Sequence, residues 1–414
     1  MGIMDGLRKH FTPDGRKFAG MLMRQFKLAN PDATVHFDEE KFCIVLRRGD
    51  KPETQYFLGT VYADYCRAKP SARPRMIAAL TATTVEAVPD GYAANWQDAK
   101  SRLLPRIRDR TTYALMRKRA TDGEKFNFTD EPFTEHLALE LVYDFPNSIG
   151  SVNRDQLAQW GVTRDQALAV ARDNLWAISN RDFKCVAPGV HVSDWHDSYD
   201  ASRLFLHDLI WQLPVRGNHV AMTPTRNDLI VTGSEDADGL AAMAEIGAKC
   251  LSDPRFLTGA AVELQNNKWV SYMPPEQSPA YEPFRHVLLI GLARDYQQQC
   301  EVFNNALGEE ESETHIGRYL LFEAVGSKNV SSKTLWIEGC RNILPRVDNI
   351  MFMARDKNDE FRSLGQCPWQ AVLATFGDMI QKTDDYPPRY LATGFPTEEQ
   401  IRAIAIPDTA STNT

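Results

Sequence analysis

The chain of 414 residues lacks most of the features that identify a function on sight. Its 7 cysteines, at positions 43, 66, 185, 250, 300, 340 and 367, are odd in number, widely spaced and never arranged as C-x-x-C. That argues against a disulfide framework or a zinc site and for reduced core thiols. No apolar stretch approaches the roughly 18–20 residues of a membrane-spanning helix; Val287–Ala293 (VLLIGLA) is typical of the longest. The Walker A loop, G-x-G-x-x-G, G-x-S-x-G and H-E-x-x-H are all missing, which lowers the prior for an enzyme without excluding one. The opening MGIMDGLRKHF has charges but no apolar segment behind them, unlike a signal peptide, and Gly6 stands where a myristoylation motif needs Ser or Thr. The expectation is a cytoplasmic protein with no membrane association and no cofactor.

What is present is ample material for a large core: 43% hydrophobic and 25% charged residues, at a length that predicts two or three domains. The net charge of −8 is unevenly spread. Residues 1–120 hold 22 of the 47 Lys and Arg but only 13 of the 55 Asp and Glu, so the basic excess sits in the first third. Within it, Arg102, Arg106, Arg108, Arg110, Arg117, Lys118 and Arg119 form a cluster. The i, i+4, i+8 spacing of Arg102, Arg106 and Arg110 fits one helix face, although Pro105 interrupts it.

The patterning predicts a mixed α/β (α+β) fold of two or three small sheets, each packed with helices. Its expected units are a basic α/β region at 1–130, an α/β domain at 131–275, a second at 284–406 and a tail at 407–414. The proline-rich stretch 273–283 reads as the linker. Thr12 and Pro13 open a helix whose apolar face is Phe18, Met21, Leu22 and Phe26. Leu137, Leu139, Leu141 and Tyr143 alternate as in a half-buried strand. Gly161 ends a short helix, and Thr163 with Gln166 forms a capping box for the next. Leu229–Thr232 is a strand leading to a helix from about Gly239 to Cys250, and Asn266-Asn267 fits a tight hairpin. Pro224-Thr-Arg226-Asn-Asp228 echoes Pro345-Arg346-Val-Asp348-Asn, a sign of duplication or of chance.

Four segments carry a family resemblance: Leu157–Leu168 (LAQWGVTRDQAL) with Ala171–Leu175 (ARDNL), Asp197–Leu204 (DSYDASRL), Val220–Ile230 (VAMTPTRNDLI) and, upstream, Leu104–Arg108 (LPRIR). In order and spacing they resemble the bacterial YtpQ family of unknown function, over about residues 1–275 and most closely over 137–245. The resemblance implies a bacterial cytosolic α/β protein with no activity to carry over, and an Asp at position 228 before a strand.

Several clusters invite a chemical reading. His191, Asp194 and His196, with Asp197 and Asp200 beside them, are candidates for Zn²⁺ or Mn²⁺; a solvated loop in which Asp197 or Asp200 caps a helix is the plainer reading. Ser234–Glu245 mimics a calcium loop, but starts with Ser and follows a strand; helix capping accounts for it as well. Asp32, Glu39 and Lys41 mimic nuclease carboxylates and lysine, a pattern that Asp182-Phe-Lys184 repeats and a surface turn explains. The arginine segment suits phosphates or carboxylates, or an ordinary solvated or internal basic face. The expectation is a binding or scaffold component with a protein partner, recognising it through Arg106, Arg108, Arg110, Asp200, Arg203 and Asp228. A metal-dependent hydrolase or nuclease is the first alternative, and non-catalytic nucleic-acid binding the second.

Overall fold

The computed structural model describes residues 15–39, 42–47, 49, 54–78, 92–120, 127–145, 148–253, 255–306, 314–323, 329–358 and 360–407. Over them the chain has the expected mixed α/β character, in five sheets rather than two or three. Thr12, Pro13, Lys41 and the tail from 408 lie outside the described residues. Helix Gly15–Ala29 buries Phe18, Leu22 and Phe26 on an antiparallel meander of Thr34–Asp38, Cys43–Arg47 and Thr54–Phe57. Ile44, Leu46 and Leu58 complete that small core.

The arginine segment corrects the helical reading. Leu103–Asp109 is a strand, and only at Arg110 does a helix, Arg110–Arg119, begin. Pro105 is the reason: it lacks an N–H, which suits an edge strand and not a helix interior, and this strand lies at the edge of its sheet. Asp109 ends it by capping the helix, accepting from Thr112 N at 2.7 Å and Thr112 Oγ1 at 2.8 Å. The strand pairs along its length with Leu137–Phe145, so the expected domain boundary at 130 falls inside a sheet. Leu137–Phe145 is also buried on both faces, not one. Its would-be polar position, Glu140, is fully buried opposite Arg106.

Helices Arg154–Trp160 and Arg164–Ala177 adjoin this sheet, their Leu157, Trp160 and Ala171 sharing a core with Leu141 and Tyr143. Between them Gly161 takes φ +69°, and the capping box forms as expected, with Gln166 N to Thr163 Oγ1 at 3.2 Å and Thr163 N to Gln166 Oε1 at 2.9 Å. A six-stranded antiparallel sheet follows, ordered Lys268–Tyr272, Ala261–Gln265, His219–Met222, Ile230–Gly233, Val190–Val192, Lys184–Ala187. Asn266 and Asn267 close its hairpin at φ +48° and +61°, the double positive φ that a two-residue turn requires. Helix Ala237–Cys250 covers this sheet through Leu240, Met243 and Ala244.

The stretch 273–283 is not a free linker. Ala280 and Phe284 are buried in one core with Val220, Met222 and Met243, and a 26-residue helix, Tyr281–Ala306, already begins at Tyr281. Pro283 falls in its first turn, where a missing N–H costs nothing. Among the described residues this long helix serves three cores: Phe284 belongs to the first, Leu289 and Tyr296 join Trp336, Leu344 and Phe352 in the second, and Cys300 and Phe303 pack with Ile316 in the third. The last region holds two four-stranded sheets, one containing a parallel pair between Thr314–Ile316 and Arg341–Pro345, the other a parallel pair between Val330–Ile337 and Asn349–Arg355. The segments around Asp228 and Asp348 therefore differ: the first joins neighbouring antiparallel strands, the second joins strands of different sheets.

Where the loop 251–260 meets the long helix, there is no room for a side chain. A Cβ on Gly259 would lie 2.2 Å from the Val287 carbonyl oxygen and 2.6 Å from its carbon. Gly259→Ala is expected to destabilise the protein by about 1–3 kcal/mol, seen as a lower denaturant midpoint. An unchanged midpoint would contradict this contact.

Candidate functional site

Strand geometry sends alternate side chains to one face, so Arg106 and Arg108 leave the edge strand together. They enter a pocket of about 290 Å³ whose lining also includes Asp109, Arg226, Arg255, Arg294 and Asp295. Five guanidinium groups, from four separate stretches of chain, thus face two carboxyls. Ile107, Ile149, Phe256 and Leu257 supply apolar wall, and Thr112, Ser198 and Gln298 supply neutral polar groups.

Each arginine is placed by a local device. Arg106 donates from Nε to Glu140 Oε1 at 2.5 Å and from Nη2 to Ser151 Oγ at 3.0 Å. Burial lowers its pKa, but Glu140 and Tyr113 together outweigh that and raise it. Arg226 sits on the turn Pro224–Asp228, which Asp228 closes by accepting from the Thr225 hydroxyl while its own N–H bonds Thr225 O at 3.2 Å. Leu257 N donates to Pro224 O at 2.7 Å, and Thr225 bridges to Phe256, tying this turn to the loop that carries Arg255. Arg294, on the long helix, donates to Asp253 O at 3.1 Å and lies 5.7 Å from the Phe256 ring centroid. Arg108 has a buried Nε with no hydrogen-bond partner, a costly state for a charged donor that has no ligand.

Asp295 follows Arg294 on the long helix. Its burial, and then the nearby Asp109 carboxylate, push its carboxyl up to about 8, against the opposing effects of the Thr111 hydroxyl and Arg294. Two carboxyls in one confined site do not readily ionise together, and strongly shifted groups in a cleft mark functional sites. Chemically, the arrangement can hold an oxyanion through guanidinium forks in surroundings where water screens the attraction less than in bulk.

A neighbouring cleft of about 390 Å³ has no such excess. It is lined by Arg110, Arg117, Lys118, Asp130, Asp384, Asp385 and Tyr386 among others, but its charges meet one another. Arg117 binds both Asp130 oxygens at 2.6 Å, Lys118 lies 3.4 Å from Asp385, and Arg110 stacks 4.2 Å from the Tyr386 ring centroid. Here the basic segment meets the acidic remainder of the chain, the internal face weighed from the sequence.

The other sequence-derived candidates go elsewhere. Asp200 and Arg203 are fully buried, while Asp197 of the same segment is exposed and Ser198 lines the arginine pocket. Arg203 grips Asp197 with both terminal nitrogens at 3.0 and 2.7 Å, donates to Ser179 Oγ at 2.9 Å and lies 4.2 Å from the Trp195 ring centroid. Asp200 makes no helix cap through its side chain; it accepts from Trp195 N at 3.1 Å. His191 is engaged with the Pro214 carbonyl at 3.1 Å, while Asp194 holds His196 at 3.0 Å and Lys184 at 2.6 Å. Among the described residues no group of three or more His, Cys, Asp or Glu converges as a metal site would. Glu39 is exposed and paired with Arg16 at 2.5 Å, Asp32 lies in an exposed turn, and Asp236 caps its helix by accepting from Gly239 N at 3.1 Å. No family model, curated protein or solved structure matches the chain.

The sequence reading thus found Arg106 and Arg108 but missed Asp109, Arg226, Arg255, Arg294 and Asp295. Two of these had a signal: Arg294-Asp295 interrupts the otherwise apolar run from Val287 to Tyr296.

Arg203→Met removes a fully buried guanidinium from its pair with the exposed Asp197 and is expected to cost about 1.5–3 kcal/mol in a denaturant titration. A loss below about 1 kcal/mol, the range of surface pairs, would contradict this structural role.

Proposed function

We propose that the chain is a binding protein for a small oxyanion, a ligand carrying phosphate or a similar group, held in the pocket of Arg106, Arg108, Arg226, Arg255 and Arg294. The observation that carries this reading is the convergence of five guanidiniums from four stretches of chain on one cavity with apolar walls. Arg108 holds a buried Nε without a hydrogen-bond partner there, a donor that an oxyanion would satisfy, and mixed apolar and polar lining is typical of small-ligand sites. A cavity of about 290 Å³ accommodates a compact head group, not the extended backbone of a nucleic acid. It is also concave where a protein partner would need an open face. The cytoplasmic location belongs to the same proposal, supported by seven cysteines held in no disulfide, the state of thiols in a reducing compartment. The resemblance to the YtpQ family adds no activity, and a binding role accords with it.

Calorimetry with inorganic phosphate and pyrophosphate tests this. Saturable one-to-one binding is expected, and Arg108→Gln or Arg255→Gln should each weaken it by about 10- to 100-fold, the worth of one charge-assisted hydrogen bond. Absence of binding at millimolar ligand, or affinities unaltered in both variants, would overturn the assignment.

A further inference from the structure

Resting on that reading, we infer that the ligand is a small polyol phosphate, a phosphate monoester whose hydroxyls are read by Asp295 and Gln298 of the long helix. The cavity is larger than an oxyanion needs. A tetrahedral oxyanion has five non-hydrogen atoms and, at about 30 Å³ for each, the share of one water molecule in the liquid, fills at most about 150 Å³. The cavity holds about 290 Å³. By the same measure that leaves space for about five further non-hydrogen atoms, the size of a three-carbon chain with two hydroxyls.

The rest of the wall has the chemistry of such a body. Thr112 and Asp109 satisfy each other, since Thr112 N and Oγ1 donate to the two Asp109 oxygens at 2.7 and 2.8 Å. Asp295 and Gln298 stand three residues apart on the long helix, hence on one face, and both line the cavity with Arg294. Among the described residues, the Gln298 amide makes no hydrogen bond. The loop that carries Arg255 continues directly into Phe256 and Leu257, which give the cavity apolar surface, and the Phe256 ring centroid lies 5.7 Å from the Arg294 guanidinium. Loop and helix thus each set a group suited to carbon or hydroxyl beside an arginine suited to phosphate.

A bare oxyanion leaves part of this wall unmatched. Its unprotonated oxygens only accept hydrogen bonds, and the Asp295 carboxyl and the Gln298 carbonyl also present acceptor oxygens, whichever protonation state Asp295 holds. A hydroxyl resolves the mismatch, because it donates to a carboxyl or amide oxygen and accepts from the amide NH₂ at once. The carbons that bear the hydroxyls bring C–H surface to Phe256 and Leu257. A polyol monoester joins both parts, with its phosphate among the guanidiniums and its hydroxyls beside the long helix.

The experiment is calorimetric titration of the full chain, in one buffer, with inorganic phosphate, n-propyl phosphate and glycerol 3-phosphate. The two esters share the phosphate and a three-carbon chain and differ only in two hydroxyls, so the ratio of their affinities isolates the hydroxyl contacts. The wild type is expected to bind glycerol 3-phosphate about tenfold more tightly than propyl phosphate, the worth of one to two net hydrogen bonds. Gln298→Ala and Asp295→Ala should each cut that ratio to below about threefold. Inorganic phosphate bound with both esters rejected, a wild-type ratio below about threefold, or a ratio unaltered in both variants would overturn the polyol reading and leave the oxyanion site standing. The wild-type ratio decides this even if the variants do not fold. Binding of none of the three would remove the site and this inference together.

Discussion

The ion pair between Arg106 and Glu140 fixes what the rest of the site depends on. Glu140 is fully buried in the central strand of its sheet and stands directly opposite Arg106 in the antiparallel register. A buried carboxylate without a partner is among the least tolerable groups in a core, so this contact pins the register of the edge strand. A slip of one residue would turn every side chain to the other face, carrying Arg106 and Arg108 away from the cavity and Ile107 out of the core it shares with Leu139 and Leu204. Asp109, the last residue of the strand, is then positioned to start the following helix.

Around that fixed edge, the basic excess of the first third divides into two uses. Arg110, Arg117 and Lys118 are spent on Tyr386, Asp130 and Asp385, which joins residues far apart in sequence. Arg106 and Arg108 turn the other way and meet arginines contributed by the acidic part of the chain. The long helix supports both arrangements: Gln299, Val302 and Phe303 line one cleft, while Arg294, Asp295 and Gln298 line the other. Gly259, in the loop that follows Arg255, seats tightly against Val287 of the helix that carries Arg294. The pocket is thus a product of four packed stretches of chain, and proteins commonly give up stability to assemble such a site.

Local chemistry was legible in the sequence wherever a few adjacent residues decide the backbone. The capping box at Thr163 and Gln166, the left-handed Gly161 and the Asn266-Asn267 turn all need only their own neighbours. The arginine segment was misread because its four-residue spacing mimics a helix face, while Pro105 and the pairing with Leu137–Phe145 make it a strand. The alternation of Leu137 to Tyr143 pointed to one exposed face, because nothing local announces that Glu140 will find Arg106 34 residues away. The same limit hid most of the pocket: Arg226, Arg255 and Arg294 lie in separate stretches of chain, and only tertiary packing unites them. Conversely, Asp200 and Arg203 looked like a surface because charge usually is, yet both are fully buried, and Arg203 reaches Asp197 and Ser179 from the inside.

The central claim is that these five arginines form one anion site, and the most direct test is where an anion sits. Diffraction from crystals soaked in sodium selenate, whose selenium scatters anomalously, locates it without reference to affinity. The account predicts a peak in the cavity with oxygens about 3 Å from guanidinium nitrogens of Arg108 and at least two of Arg106, Arg226, Arg255 and Arg294. A cavity without selenium, while peaks form on other basic surfaces, would contradict it.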